Sequence, residues 1–158
     1  ERKALEGDAA AVPLPRPMVG RGEPHFSFAG LKSAVLRAHE SGKYAVADIA
    51  ASFQQAAVDC VTDRLRIALA SMKDVDTLVV AGGVAANGIV RTALEQLAAD
   101  HAMRFAAPPP KLCTDNAAMI AWAGIERLGQ NDPLDISARP RWPLDPAAEP
   151  VRGAGVKA

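Results

Sequence analysis

Aromatic residues and cysteines are scarce in this chain. Aromatic side chains make up only 4% of the 158 residues, and much of the hydrophobic half of the composition is alanine. This composition favours tightly packed helices over an all-β sandwich, and the length fits one domain. The two cysteines, Cys60 and Cys113, are far apart and form no Cys-x-x-Cys pair, which indicates a reducing compartment.

Neither sign of charge is in excess, and long apolar runs are absent. The 18 basic and 18 acidic residues balance, so an RNA partner must use a local patch or surfaces supplied elsewhere. No apolar run approaches the roughly 18 residues that cross a bilayer, and the first residues, ERKALE, do not form a signal peptide. We expect a cytoplasmic protein with no membrane partner. The abrupt start also suggests a chain cut from something longer.

Hydrophobic periodicity predicts four helices and two strands. The clearest pattern is the amphipathic helix at residues 48–69, which has Cys60 on its apolar side and therefore predicts a packed thiol rather than a reactive one. The strands are short β-branched or apolar runs at 77–81 and 103–107. The other helices are predicted at 31–39, at 89–100 and from Thr114 or Asp115 to about residue 128.

The order of these elements predicts an α/β fold, mostly helical, with a small parallel sheet. Two strands alone make a marginal sheet, so further strands are expected either in the loop-like first third or outside this chain. We assign residues 1–145 to one domain. Residues 146–158 have too few large apolar groups to order themselves, and we predict a disordered tail there.

The stretch VVAGGVAAN places two glycines between the first strand and the following helix. Gly82 and Gly83 allow positive φ and a close approach of the backbone to a ligand. The helix N-terminus would offer unsatisfied N–H groups, and Asn87 would lie at the cap or in the first turn, within reach of a ribose or phosphate oxygen. The pattern favours an anionic, nucleotide-like ligand. The alternative is an ordinary strand-to-helix turn, since this is neither a Walker P-loop nor Gly-x-Gly-x-x-Gly.

A second candidate site, KLCTDNAAMIAWAG, follows the second strand. The carboxylate of Asp115 at a helix N-terminus could bind a hard cation, and the alternative is that it only caps the helix. His25, His39 and His101 are scattered and form no metal-binding pair. We expect Cys113 to be a buried thiol rather than a ligand.

Two further segments have alternative interpretations. In FSFAGLKS, Lys32 could meet a phosphate, or Phe26 and Phe28 could pack the start of the helix onto the core while Lys32 is solvated. In ARPRWPLD, residues 138–145, the arginines could contact nucleic acid, or an extended strap could pack Trp142 onto the domain.

Five segments in chain order resemble the tRNA threonylcarbamoyltransferase family, called TsaD in bacteria: FSFAGLKSAV, DIAASFQQAAVD, VVAGGVAAN, PPPKLCTDNAAMIA and ARPRWPLD. They extend over roughly residues 15–145, and the resemblance indicates the C-terminal half of such a protein. It implies part of a lobe of the actin, sugar-kinase and heat-shock-chaperone fold. It also implies transfer of a threonylcarbamoyl group from threonylcarbamoyl-adenylate to the adenosine beside the anticodon of tRNAs reading ANN codons.

The resemblance implies a role for each candidate residue. Asn87 would contact the adenylate or ATP, Gly82 and Gly83 would border it, and Asp115 would be a metal ligand. Because the family's H-x-x-x-H pair is absent here, one divalent metal, iron or zinc, would take its other ligands from outside this chain. Implied partners are tRNA and other subunits of the tRNA-modification complex, and open sheet edges suggest self-association. We expect the chain alone to be inactive and to bind metal weakly or not at all.

Two other functions stay open from the sequence. The chain could be a non-catalytic module that binds a nucleotide or a partner subunit, as the absent histidines would allow. It could also be a metalloprotease, an older label of the family, although the sequence contains no H-E-x-x-H.

Overall fold

The computed structural model describes residues 1–130, Asp135 and Ala147. Three predictions fall outside the described residues: the strap that contains Trp142, the domain boundary that follows it, and the tail at 146–158 except for Ala147. Within the described part, no helix is both long and apolar enough to cross a membrane.

All four predicted helices and both predicted strands are present within the described residues. The helix at 31–39 and the long helix at 48–69 are each slightly longer than predicted, and each strand is shorter. The elements are α1 (Leu31–Glu40), α2 (Val46–Ser71), β1 (Thr77–Val79), α3 (Gly88–Asp100), β2 (Arg104–Ala106) and α4 (Ala117–Glu126). Short 3₁₀ helices occur at Arg2–Glu6, Gly83–Ala86 and Pro110–Leu112.

The two strands form a parallel pair, with Thr77 opposite Arg104 and Val79 opposite Ala106. Helix α3 connects them and packs against them through one apolar cluster, as a strand-helix-strand unit requires. This confirms a mostly helical α/β chain with a small parallel sheet. The cluster consists of buried Val58, Val90, Leu94 and Leu97, with Val61, Leu65, Leu78, Val80, Ala93 and Phe105 packed against it.

No strand is described before Thr77, so the alternative that placed further strands in the first third is wrong. That segment instead lies along α2. The hydroxyl of Ser52 on α2 accepts from the N–H of Val12 (3.1 Å) and donates to the carbonyl of Asp8 (3.3 Å). These bonds fix the extended, proline-containing segment where Val12 and Leu14 enter a second apolar cluster with α1 and the start of α2.

Helix α2 is buried on more than the single face that its periodicity predicts. Its first half contacts the N-terminal segment and α1, and its second half contacts α3. Ser52 and Arg64 are fully buried, whereas the apolar Phe53 next to Ser52 is 45% exposed. Cys60 is 1% exposed, which confirms the packed thiol. Its burial, and to a smaller extent the negative charge of the nearby Asp59 carboxylate, raises the pKa of that thiol.

The buried guanidinium of Arg64 anchors the loop before α1. It pairs with Asp63 and donates from Nη1 to the carbonyl of Glu23 (2.6 Å), while the N–H of Gly20 donates to Asp63 Oδ2 (3.3 Å). The hydrogen bond from Arg64 lowers the pKa of Asp63. The loop before α1, which has no regular pattern in the sequence, is therefore fixed to α2 by the side chains of Asp63 and Arg64.

Phe26 and Phe28 do not pack the start of α1 onto the core, so this part of the second alternative is wrong, whereas its solvated Lys32 is confirmed. The two phenylalanines are 52% and 47% exposed. The chain turns at Gly30, which has φ 81°, and the N–H of Leu31 donates to the carbonyl of Phe28 (3.1 Å). The turn places Leu31 in the buried position instead, and Lys32 is exposed.

The contact pattern divides the chain into two units, Glu1–Met119 and Ile120–Ala158. The second unit contains most of α4, and its Trp122 and Ile125 side chains are mainly exposed. Gly129 has φ 85° shortly after the last helical residue, in agreement with the predicted helix end.

Candidate functional site

Both candidate segments leave the same edge of the sheet. Because β1 and β2 are parallel, their carboxyl ends lie side by side, and the N–H of Val80 donates to the carbonyl of Ala106 (2.9 Å) just past both strands. Residues 82–87 follow β1 and residues 107–115 follow β2. In open parallel sheets this edge is where ligands bind.

The two glycines of the first segment have different backbone roles. Gly82 has φ 85° and ψ 175°, a conformation that is essentially restricted to glycine. Gly83 begins the 3₁₀ turn Gly83–Ala86, and its φ is not positive, so positive φ is needed at one position rather than two. A Cβ atom on either glycine would meet no described atom within 4 Å. The turn therefore borders open space.

Asn87 caps α3, as predicted. Its Oδ1 accepts from the N–H of Val90 (3.0 Å), and its Nδ2 donates to Oε1 of Gln54 on α2 (3.0 Å). The carboxylate of Glu1 accepts from the N–H of Gly88 (2.9 Å). The expectation of several unsatisfied N–H groups at this helix end is therefore wrong. In the first turn of α3, the N–H of Ile89 is the one that has no acceptor among the described residues.

These contacts restrict what Asn87 can offer a ligand. Its amide oxygen is used by the helix cap and one amide hydrogen by Gln54, so the second Nδ2 hydrogen is the donor that stays available. The side chain is held on both sides and so needs little reorganisation to donate. Sequence reasoning missed Gln54 and Glu1, because they are 33 and 87 positions from their partners and leave no local signal.

Asp115 is exposed and does not cap α4. That role belongs to the next residue, since Oδ1 of Asn116 accepts from the N–H of Met119 (3.1 Å) and its Nδ2 donates to the carbonyl of Thr114 (2.9 Å). The prediction of a cap at Thr114 or Asp115 is therefore wrong by one or two residues. The Asp115 carboxylate accepts no described hydrogen bond, so its oxygens are free for another partner.

The described residues do not complete a metal site by themselves. Across residues 1–130, no three His, Cys, Asp or Glu side chains converge to hold an ion. His101, for example, lies with Nδ1 2.9 Å from the carbonyl of Leu97, within its own helix end. Asp115 supplies one hard oxygen donor, whereas protein-bound zinc takes about four ligands and harder cations more.

Cys113 and Arg91 join the second segment to the first. The thiol of Cys113 is buried, as expected, and lies 3.6 Å from the carbonyl oxygens of both Pro108 and Pro109. The guanidinium of Arg91 donates to the carbonyl of Ala85 (3.3 Å) and to that of Pro108, and it lies 3.7 Å from the Cys113 sulfur. Sequence reasoning did not single out Arg91, which looks there like an ordinary solvated residue of α3.

The chain is similar to known tRNA-modifying enzymes over its whole length. A family model described as TsaD, tRNA N6-adenosine threonylcarbamoyltransferase, matches residues 1–122. Proteins with that name are 72% identical in Erythrobacter litoralis, 69% in Novosphingobium aromaticivorans and 59% in Zymomonas mobilis, each aligned to 100% of this chain.

The chain spans only 45–46% of the length of these relatives. The matches do not support the prediction that it corresponds to the C-terminal half of such a protein. They do support the family itself, because the family model covers well over half of the chain. This chain belongs to the tRNA N6-adenosine threonylcarbamoyltransferase family.

Proposed function

We propose that this chain is part of a longer enzyme that transfers a threonylcarbamoyl group from threonylcarbamoyl-adenylate to tRNA, and that it forms one wall of the adenylate site. The supporting observation is the meeting of the Gly82–Asn87 turn and the 107–115 loop at one edge of the sheet, in a chain of this family. The acceptor in this proposal is the adenosine beside the anticodon of tRNAs reading ANN codons.

In this reaction the residues of this chain position the adenylate and shield it from water, and none of them forms a bond to it. The exocyclic amine of the adenosine forms a bond to the carbamoyl carbon, the adenylate phosphate leaves as AMP, and the amine loses one proton. Gly82 and Gly83 let the adenylate, or ATP, approach the backbone. Asn87 donates its remaining amide hydrogen to that ligand from a fixed position. Exclusion of water then protects the mixed anhydride from hydrolysis.

Asp115 is proposed as one ligand of a single divalent metal, iron or zinc, whose other ligands lie outside this chain. Its exposed carboxylate has no described partner, which leaves both oxygens free. Metal analysis of purified protein tests this directly. The full-length protein should contain about one metal ion per subunit and lose it in Asp115→Ala, whereas the 158-residue chain should bind none tightly. Tight stoichiometric binding by the chain alone would contradict the proposal.

The fold and partners of the whole protein are also proposals. The parallel pair has an unpaired outer edge on both β1 and β2 within the described residues, as expected where further strands extend the sheet. We propose that these belong to an actin-like lobe whose remaining strands lie outside this chain, and that the enzyme acts in the cytoplasm with other subunits of a tRNA-modification complex. Light scattering on the chain alone tests self-association through the same edges.

The transfer reaction tests the proposed function. The full-length protein that carries these residues, supplied with threonylcarbamoyl-adenylate, its partner subunits and tRNA, should modify tRNA, and the chain alone should not. Transfer by the chain alone would show that it holds the complete site. Absence of transfer by folded, metal-loaded full-length protein would contradict the assignment.

A non-catalytic binding module is the second candidate, favoured by the lack of a complete metal-ligand set among residues 1–130. It predicts nucleotide binding without transfer in the full-length protein. The metalloprotease alternative has no supporting feature in the sequence, which contains no H-E-x-x-H.

A further inference from the structure

We propose that Arg91 is a positioning residue that holds the Gly82–Asn87 turn and the 107–115 loop in one fixed arrangement, so that both present their groups to the same ligand. This inference rests on the proposed function for the identity of that ligand. The link between the two segments is a feature of the molecule that can be measured without any ligand.

Arg91 is bound to both segments at once. Its Nε donates to the carbonyl of Ala85 (3.3 Å), in the first segment. Its Nη2 donates to the carbonyl of Pro108 and lies 3.7 Å from the Cys113 sulfur, both in the second segment. The planar guanidinium has donors pointing in several fixed directions, which suits a bridge between two carbonyl groups.

Within the second segment, the carbonyl of Pro108 depends on side-chain donors. The carbonyls of Pro109 and Pro110 accept from the N–H groups of Leu112 and Cys113 in the 3₁₀ turn. Pro108, Pro109 and Pro110 have no N–H, and the described residues give no backbone donor to the Pro108 carbonyl. The described partners of the Pro108 carbonyl are the Arg91 guanidinium and the Cys113 thiol. A thiol is a weak donor, so the charged guanidinium is the stronger of the two contacts.

Lysine cannot replace this bridge. Its ammonium keeps the charge, but it is a compact group on a flexible stem and cannot bond the two carbonyls in the geometry of the guanidinium fork. Arg91→Lys therefore removes the two-carbonyl bridge and keeps the positive charge, whereas Arg91→Gln removes both the bridge and the charge. Arg104→Gln is the matched control, because Arg104 begins β2 at the opposite end of the sheet and its ion pair with Asp76 is exposed.

Hydrogen exchange in the full-length protein tests the bridge itself. The informative amides are those of residues 83–86 and 111–116, since the three prolines have none. In Arg91→Lys and Arg91→Gln, exchange in both segments should become faster together, while Arg104→Gln leaves both unchanged. Faster exchange in one segment alone, or in neither, would overturn the proposal.

Binding of a non-hydrolysable threonylcarbamoyl-adenylate analogue tests the consequence. Arg91→Lys should raise the Kd of the analogue by about tenfold or more while the thermal midpoint changes little, because misplaced groups weaken binding without unfolding the protein. A lowered thermal midpoint with unchanged Kd would show a merely structural residue and overturn the positioning role. If the parent protein does not bind the analogue, the proposed function fails, and the exchange experiment still decides whether Arg91 couples the two segments.

Discussion

The side chains of Asn87 and Gln54 are joined by a hydrogen bond of 3.0 Å from Nδ2 to Oε1. The bond connects the N-terminus of α3 to the middle of α2, 33 positions earlier in the chain. The residue predicted to contact the adenylate is thus also part of the scaffold. The helix cap uses its Oδ1, and the proposed ligand contact uses its Nδ2. A variant that keeps a cap acceptor but has no amide donor therefore separates the two roles.

Asn87→Ser should separate them. Serine keeps a cap acceptor for the N–H of Val90 but has no amide donor, whereas alanine removes both. We expect Asn87→Ala to lower the free energy of unfolding by about 1 kcal/mol and Asn87→Ser by less. Both variants should weaken binding of the adenylate analogue in calorimetry. Gln54→Ala is the control: it leaves the donor in place but unrestrained, so a smaller loss of affinity is expected. Unchanged affinity in Asn87→Ser would show that Asn87 is only a cap.

Gly82→Ala should destabilise the protein, whereas Gly83→Ala should be nearly neutral. An added Cβ meets no described atom within 4 Å at either position, so space does not distinguish them. The backbone conformation distinguishes the two positions, because Gly82 has φ 85° and ψ 175° whereas Gly83 lies in a 3₁₀ turn. We expect a cost of about 1–3 kcal/mol for Gly82→Ala in urea unfolding. Equal effects of the two substitutions would contradict the assigned turn geometry.

Protonation of Asp63 should destabilise the protein in acid. The hydrogen bond from Arg64 lowers the pKa of this carboxyl in the folded chain, so the unfolded chain takes up the proton at a higher pH. The stabilisation is present above the unfolded pKa, near about 4, and is lost as pH falls through the folded pKa.

The slope of stability against pH measures this effect. The urea midpoint of the parent should fall more steeply between about pH 5 and about pH 3 than that of Asp63→Asn, which has no proton to take up. The comparison uses slopes because the variant also leaves Arg64 without its charged partner. Parallel slopes would show that the ion pair does not contribute to acid sensitivity.

Neither thiol should react quickly in the native protein. Cys60 and Cys113 are buried, and burial raises the pKa of Cys60, so at about pH 8 its thiolate fraction is below that of a free cysteine. We expect modification by a disulfide reagent to be slow in buffer and fast in urea. Cys60→Ala and Cys113→Ala assign the two events. Rapid labelling of native Cys60 would contradict its packed position.

Helices, strands and the cap at Asn87 could be predicted because each has a local signal: apolar spacing, β-branched runs, glycine at a strand end and asparagine at a helix start. The parallel sheet then placed both candidate segments at one edge. Even locally, however, the run TDN offers three adjacent capping residues, and pattern alone could not identify Asn116 as the one that caps α4.

The contacts that shape the site could not be predicted, because they join distant parts of the chain. Gln54 and Glu1 reach the start of α3 from 33 and 87 positions away. Arg91 is polar in a helix and has no spacing that distinguishes it from a solvated residue, although its guanidinium bridges two turns. The exposure of Phe26 and Phe28 likewise depends on the path of the chain at Gly30.

Whether the Gly82–Asn87 turn borders the adenylate is tested most directly by transfer of labelled threonylcarbamoyl from its adenylate to tRNA by the full-length protein, compared between the parent, Asn87→Ser and Arg104→Gln. We predict transfer by the parent and the Arg104→Gln control, and a loss in Asn87→Ser that appears as a raised KM for the adenylate. Equal KM values in all three folded proteins would contradict the claim that the turn at Gly82–Asn87 is a wall of the adenylate site.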